Sequence, residues 1–102
     1  MIVAFSVSPM GTGESVTPAV ARAVQVVRES GLPNRTDAMF TSVEGDWDEV
    51  MDVVKRAVAA AGEGASRVSL TLKADIREGT SDGLAHKVEA VEQELDDLRR
   101  QD

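Results

Sequence analysis

Hydrophobic and polar positions change rhythm several times along this chain, and each rhythm predicts an element. Residues 2–8 (IVAFSVS) are β-branched and aromatic with no breaker, which predicts a strand. Ser8-Pro9-Met10-Gly11-Thr12-Gly13, with one Pro and two Gly, predicts a loop. Val16, Val20, Ala23, Val24 and Val27 then recur at spacings of three and four, the stripe of an amphipathic helix. Thr17 before Pro18 is its expected N-cap, and Gly31 its expected end. Residues 33–38 are polar and predict an edge strand, and residues 39–44 (MFTSVE) a better one. Asp46 with Glu49 three residues later has the form of a capping box. It opens a second helix with the stripe Trp47, Val50, Met51, Val54, Ala57, Val58 and Ala61, closed by Gly62 and Gly64.

Residues 67–77 (RVSLTLKADIR) alternate strictly, with Val68, Leu70, Leu72, Ala74 and Ile76 on one side. Residues 78–83 predict a turn. From about Ser81 a last helix places Leu84, Val88, Val91, Leu95 and Leu98 in a short heptad seam suited to docking on a partner. The order β-α-β-β-α-β-α is the split βαβ arrangement. It predicts one α+β domain over residues 1–102, a ferredoxin-like βαββαβ sandwich with an additional C-terminal helix. Right-handed crossovers put both crossover helices on one face of an antiparallel sheet.

That arrangement makes the opposite face informative. The helices cover Val3, Phe5 and Val7, so the other face carries Ala4, Ser6 and Ser8, with Ser42, Glu44, Thr71, Lys73, Asp75 and Arg77 from the neighbouring strands. An antiparallel sheet can simply leave such a face wet. Short hydroxyls mixed with a few charges suit a subunit contact or a small polar ligand better than they suit a solvated face.

Composition narrows the classes. The chain has 102 residues, enough for one domain. Aromatic residues make up only 3%, so the core is aliphatic and thin, the kind that gains stability by oligomerising. A net charge of −7 argues against nucleic acid and anionic membrane surfaces. No stretch approaches the ~20 apolar residues of a membrane span. With no export segment in view, the expected location is cytoplasmic. The absence of Cys removes disulfides and thiolate chemistry.

Candidate chemistry is sparse. Gly11-Thr12-Gly13 lies between a strand and a helix, where N–H groups hold phosphate in some folds. The full dinucleotide and Walker patterns are absent, so a tight turn is the better reading. His86 is the one His and has no triad or metal partner in the sequence; it reads as a surface or subunit-contact residue. Asp46, Asp48 and Glu49 are accounted for by the helix dipole. Glu44 is still on the strand, and is the better candidate for a ligand carboxylate. Lys73, Asp75 and Arg77 share one strand face, either pairing across a contact or with Asp75 accepting from a ligand that Arg77 orients. No catalytic constellation, metal spacing or cofactor motif stands out, so the expectation is a protein that is not an enzyme and carries no metal or cofactor.

Four segments resemble the thiamine-binding protein family: Ser8-Pro9-Met10-Gly11-Thr12, residues 41–51 (TSVEGDWDEVM), Lys73-Ala74-Asp75-Ile76-Arg77, and residues 86–91 (HKVEAV). The second, T-x-x-E-G before an acidic and aromatic helix start, is the most specific. The resemblance covers nearly the whole chain. It implies a ferredoxin-like fold and homo-oligomers, dimers pairing into tetramers through sheets and terminal helices. It also implies non-catalytic binding of thiamine or its hydroxymethylpyrimidine part near a subunit interface, as a carrier or sensor. The residues it points to, together with the polar face, are Ser6, Pro9, Met10, Thr41, Ser42, Glu44, Asp75 and Arg77. Ser42 stands where the family often has a second Thr. Phe40 stands where a small residue is common, and narrows a pocket or rebuilds part of its wall. A different reading of the same features is an oligomeric regulatory or assembly protein without a bound metabolite.

Overall fold

Alternation along the first strand, β1 (Ile2–Met10), sends Val3, Phe5, Val7 and Pro9 inward. The structure, a computed structural model, describes residues 1–11, 15–77 and 83–100, the His86 side chain excepted. The remaining elements are α1 (Thr17–Glu29), β2 (Asn34–Thr36), β3 (Thr41–Glu44), α2 (Trp47–Ala61), β4 (Arg67–Asp75) and α3 (Gly83–Arg100). The strands form an antiparallel sheet in the order β2-β3-β1-β4, so the fold is the expected ferredoxin-like α+β arrangement.

β1 continues two residues past the expected loop boundary at Ser8. β4 pairs with it in unbroken register from Ile2↔Asp75 to Met10↔Arg67, whereas β3 stops at Phe5↔Thr41. Pro9 therefore lies where β1 has one neighbour only, a position at which a strand tolerates a residue without an N–H. Gly11, at φ 84°, then turns the chain. Thr12 and Gly13 lie outside the described residues, as do most of the turn expected at residues 78–83 and the expected start of the last helix at Ser81.

Both crossover helices pack on the Val3/Phe5/Val7 face. The core joins those residues to Ala19, Ala23 and Val27 of α1, Val43 of β3, and Val50, Val53, Val54, Ala57 and Ala61 of α2. Val3, Val27, Val43 and Val50 are fully buried. Each such side chain contributes roughly 1.5–3 kcal/mol relative to exposure. α1 begins one residue earlier than expected: Val16 occupies the N-cap position without a side-chain cap, and Thr17 is already helical. The Val20 N–H closes the first turn on the Val16 carbonyl. Pro18 is accepted there because the first-turn N–H groups have no helical partner in any case. Gly31, at φ 79°, follows the helix as expected. The α2 cap is also as expected, the Asp46 N–H donating to Glu49 Oε1 at 3.3 Å.

Two expectations about the core fail. Trp47 opens α2 but is 56% exposed, so Val53 rather than Trp47 completes the buried stripe. On β4 the phase is right but the cover is not: Leu70 is 42% and Ile76 66% exposed. β4 is an edge strand, and the helices centre on β1 and on each other. Only Val68 and Leu72 reach the core.

Candidate functional site

The early end of β3 leaves a notch in the sheet. Beyond Phe5 the β3-side edge of β1 has no strand partner, and residues 37–40, which link β2 to β3, curl beside it. Val20, Ala23 and Val24 of α1, with its N-cap residue Val16, wall the other side. The cleft between them is open on one side and has a volume of about 230 Å³. Phe5, Val7, Met39 and Phe40 supply further apolar wall, and Ser6, Ser8, Thr36 and Thr41 supply hydroxyls. The Thr36 and Thr41 hydroxyl oxygens stand 3.4 Å apart. Drug-sized ligands occupy roughly 300–1,000 Å³, so this space suits one aromatic ring or one ring of a larger molecule.

Asp37 supplies the cavity's charge. Its Oδ1 accepts the Phe40 N–H at 3.1 Å and the Met39 N–H at 3.2 Å, and its own N–H donates to the Phe40 carbonyl at 3.0 Å. Those two main-chain bonds, Phe40's first, hold its carboxyl below the usual value of 3.8, with the Arg35 charge adding to the effect. Asp37 was not among the residues that the sequence pattern selected. An Asp opening a short link between strands is the sequence signal for it, because such a side chain caps the turn that follows.

The candidate residues separate into groups. Ser6 and Thr41 line the notch. Ser6 pairs with Thr71 on the sheet face away from α1 and α2, whereas Thr41 is buried on the helix side beside Phe5. Ser42 pairs with Ala4 on the open face, two positions from Ser6, and lines neither cavity described here. Pro9 is buried opposite Val68, and Met10 is half-exposed opposite Arg67; these two also stay outside both cavities.

Glu44, Asp75 and Arg77 meet elsewhere, around a space of about 40 Å³ shared with Met1, Ile2, Gly83 and Lys87. That volume holds about one or two waters. Glu44 is buried beneath the start of α3 on the open face, where its two oxygens accept the Gly83 N–H at 2.6 Å and the Leu84 N–H at 3.4 Å. Asp75 pairs with Lys87. That hydrogen bond and charge lower the Asp75 carboxyl below its usual value. This corner has the chemistry of a helix anchor. Among the described residues no group of His, Asp and Glu gathers closely enough to hold a metal ion. No helix among them is long and apolar enough to cross a membrane.

A family profile described as thiamine-binding protein matches residues 3–92. A UPF0045 protein of Mycobacterium bovis is 55% identical over 96 residues, covering 93% of this chain and 94% of that protein. A solved structure of a hypothetical protein from Methanocaldococcus jannaschii superposes with a TM-score of 0.79 at 32% identity, covering 88% of this chain and 93% of the other. A structure from Thermotoga maritima, described as a candidate thiamine biosynthesis/salvage protein, gives a TM-score of 0.74 at 24% identity over 87% of this chain and 96% of that one, a likeness of fold. With its profile matched over most of its length, this chain belongs to the thiamine-binding protein family.

Proposed function

We propose that this protein binds thiamine, or the hydroxymethylpyrimidine part of it, without catalysing a reaction on it, and serves as a carrier or sensor. The carrying observation is the notch between β1, residues 37–40 and α1. An aminopyrimidine needs paired donors and acceptors at its rim and an apolar surface for its faces. The free backbone edge of β1 at residues 6–8 and the hydroxyls of Ser6, Thr36 and Thr41 provide the first. Phe40, Val20 and Val24 provide the second. The cavity's volume supports enclosure of the pyrimidine, with a thiazolium outside it near Asp37 and its compensating charge.

A second copy of the chain belongs in this reading. The notch reaches the open sheet face through Ser6 and Ser8, and a subunit on that face would close it. α3 supports the same idea. Val91 is 59% and Leu98 58% exposed, so the described residues leave its apolar seam largely uncovered. Calorimetry with thiamine and with hydroxymethylpyrimidine tests the proposal. Saturable heat at one ligand per chain is expected. A folded protein giving no heat at millimolar ligand would remove the reading and leave self-assembly through α3 as the function that the fold supports.

A further inference from the structure

We infer that the notch prefers its ligand as the free alcohol and disfavours the phosphate esters of the same molecule. This rests on the reading of the notch as the pyrimidine site. A phosphate needs Lys, Arg or a set of converging N–H groups to replace its water. The cavity wall offers hydroxyls, apolar side chains and the Asp37 carboxylate, and none of the lining residues is Lys or Arg. All eleven Lys and Arg of the chain are among the described residues, so the lack of a cationic side chain is a property of the site. Arg35 is the cation tied to this corner. It pairs with Ser42, so it stands on the open face, while Thr36 beside it turns to the cavity. α1 presents its flank through Val20, Ala23 and Val24, with the N-cap residue Val16 beside them, so the wall on this side is apolar.

Asp37 turns this lack into active discrimination. Its carboxylate is fixed by the Met39 and Phe40 N–H groups, so it cannot swing away from an incoming anion without breaking both. A phosphate monoester carries roughly −1.5 to −2 charges at pH 7. The net charge of −7 adds repulsion at longer range. A hydroxymethylpyrimidine phosphate suffers most, because its ester group is attached next to the enclosed ring. The ester of thiamine, at the far end of the second ring, suffers less.

The test is calorimetry at low salt with four probes: hydroxymethylpyrimidine, its monophosphate, thiamine and thiamine monophosphate, on the wild type and on Asp37→Asn. Asn keeps the acceptor for the Met39 and Phe40 N–H groups and removes the charge. The pyrimidine phosphate should bind at least about tenfold more weakly than its alcohol. The ratio of the two affinities should narrow severalfold in Asp37→Asn, and in the wild type at high salt. Equal affinity of alcohol and ester in the wild type would overturn the inference while leaving the binding site standing. A ratio unchanged by Asp37→Asn would overturn the role of Asp37. Binding of none of the four probes would remove the pyrimidine site, and this inference with it.

Discussion

The Glu44 carboxylate accepts the Gly83 N–H at 2.6 Å, across 39 residues of sequence. A second bond to the Leu84 N–H makes this side chain a cap for the start of α3, supplied from a distant strand. Glu44→Ala should leave two helix-terminal N–H groups unpaired at a buried site and cost about 1–3 kcal/mol in urea unfolding. Glu44→Gln, which keeps one acceptor, should cost less. Because Glu44 does not line the notch, its variants should reduce stability more than ligand affinity. The opposite pattern would return it to the ligand site.

The acid limb of stability has named contributors. Asp37 and Asp75 both have folded values held below 3.8, the first by main-chain N–H groups and the second by Lys87. A depressed carboxylate adds stability that is fully present above its unfolded value and is lost as pH falls through the folded one. Urea unfolding between pH 6 and pH 2 should show Lys87→Gln diverging from the wild type at the upper end and converging with it at the lower. A gap that persists at pH 2 would mean that Lys87 acts through something other than Asp75.

Filling the notch should separate binding from folding. Val20 lines the cavity and is partly exposed, so Val20→Trp can occupy the space without being forced into the core. The variant should lose ligand heat while its thermal midpoint stays within a few degrees of the wild type. Retained affinity in a folded Val20→Trp would place the ligand elsewhere.

The seam on α3 makes an independent prediction. Leu95→Lys puts a charge into the exposed stripe and should shift a sedimenting oligomer toward monomer, with little loss of helical signal. A wild type that sediments as a monomer at micromolar concentration would count against the second subunit.

The strands and helices were largely legible because periodicity reports burial, and burial made most of the core. The β1–β4 phase, the Glu49 cap and Gly31 each follow from local chemistry. Other features depended on how long each strand is. The length of β3 decides that β1 has a free edge beyond Phe5, and a local pattern cannot register one strand against another. The same limit hid the uncovered half of β4, since alternation gives the face and not what lies over it. Of the residues lining the notch, the sequence pattern already names Ser6, Thr41 and Phe40 as candidates, while Asp37 falls in a polar stretch that predicts an edge strand. Glu44 was read onto the correct face, but its partners lie 39 and 40 residues away, a distance no motif spans.

The central claim is that the ligand sits in the notch. Titration of the protein with hydroxymethylpyrimidine, followed residue by residue through backbone amide NMR, tests it most directly. The largest shifts should fall on Ser6, Val7, Ser8, Phe40 and Thr41. Shifts centred on Glu44, Asp75, Gly83 and Lys87, or none at saturating ligand, would contradict it.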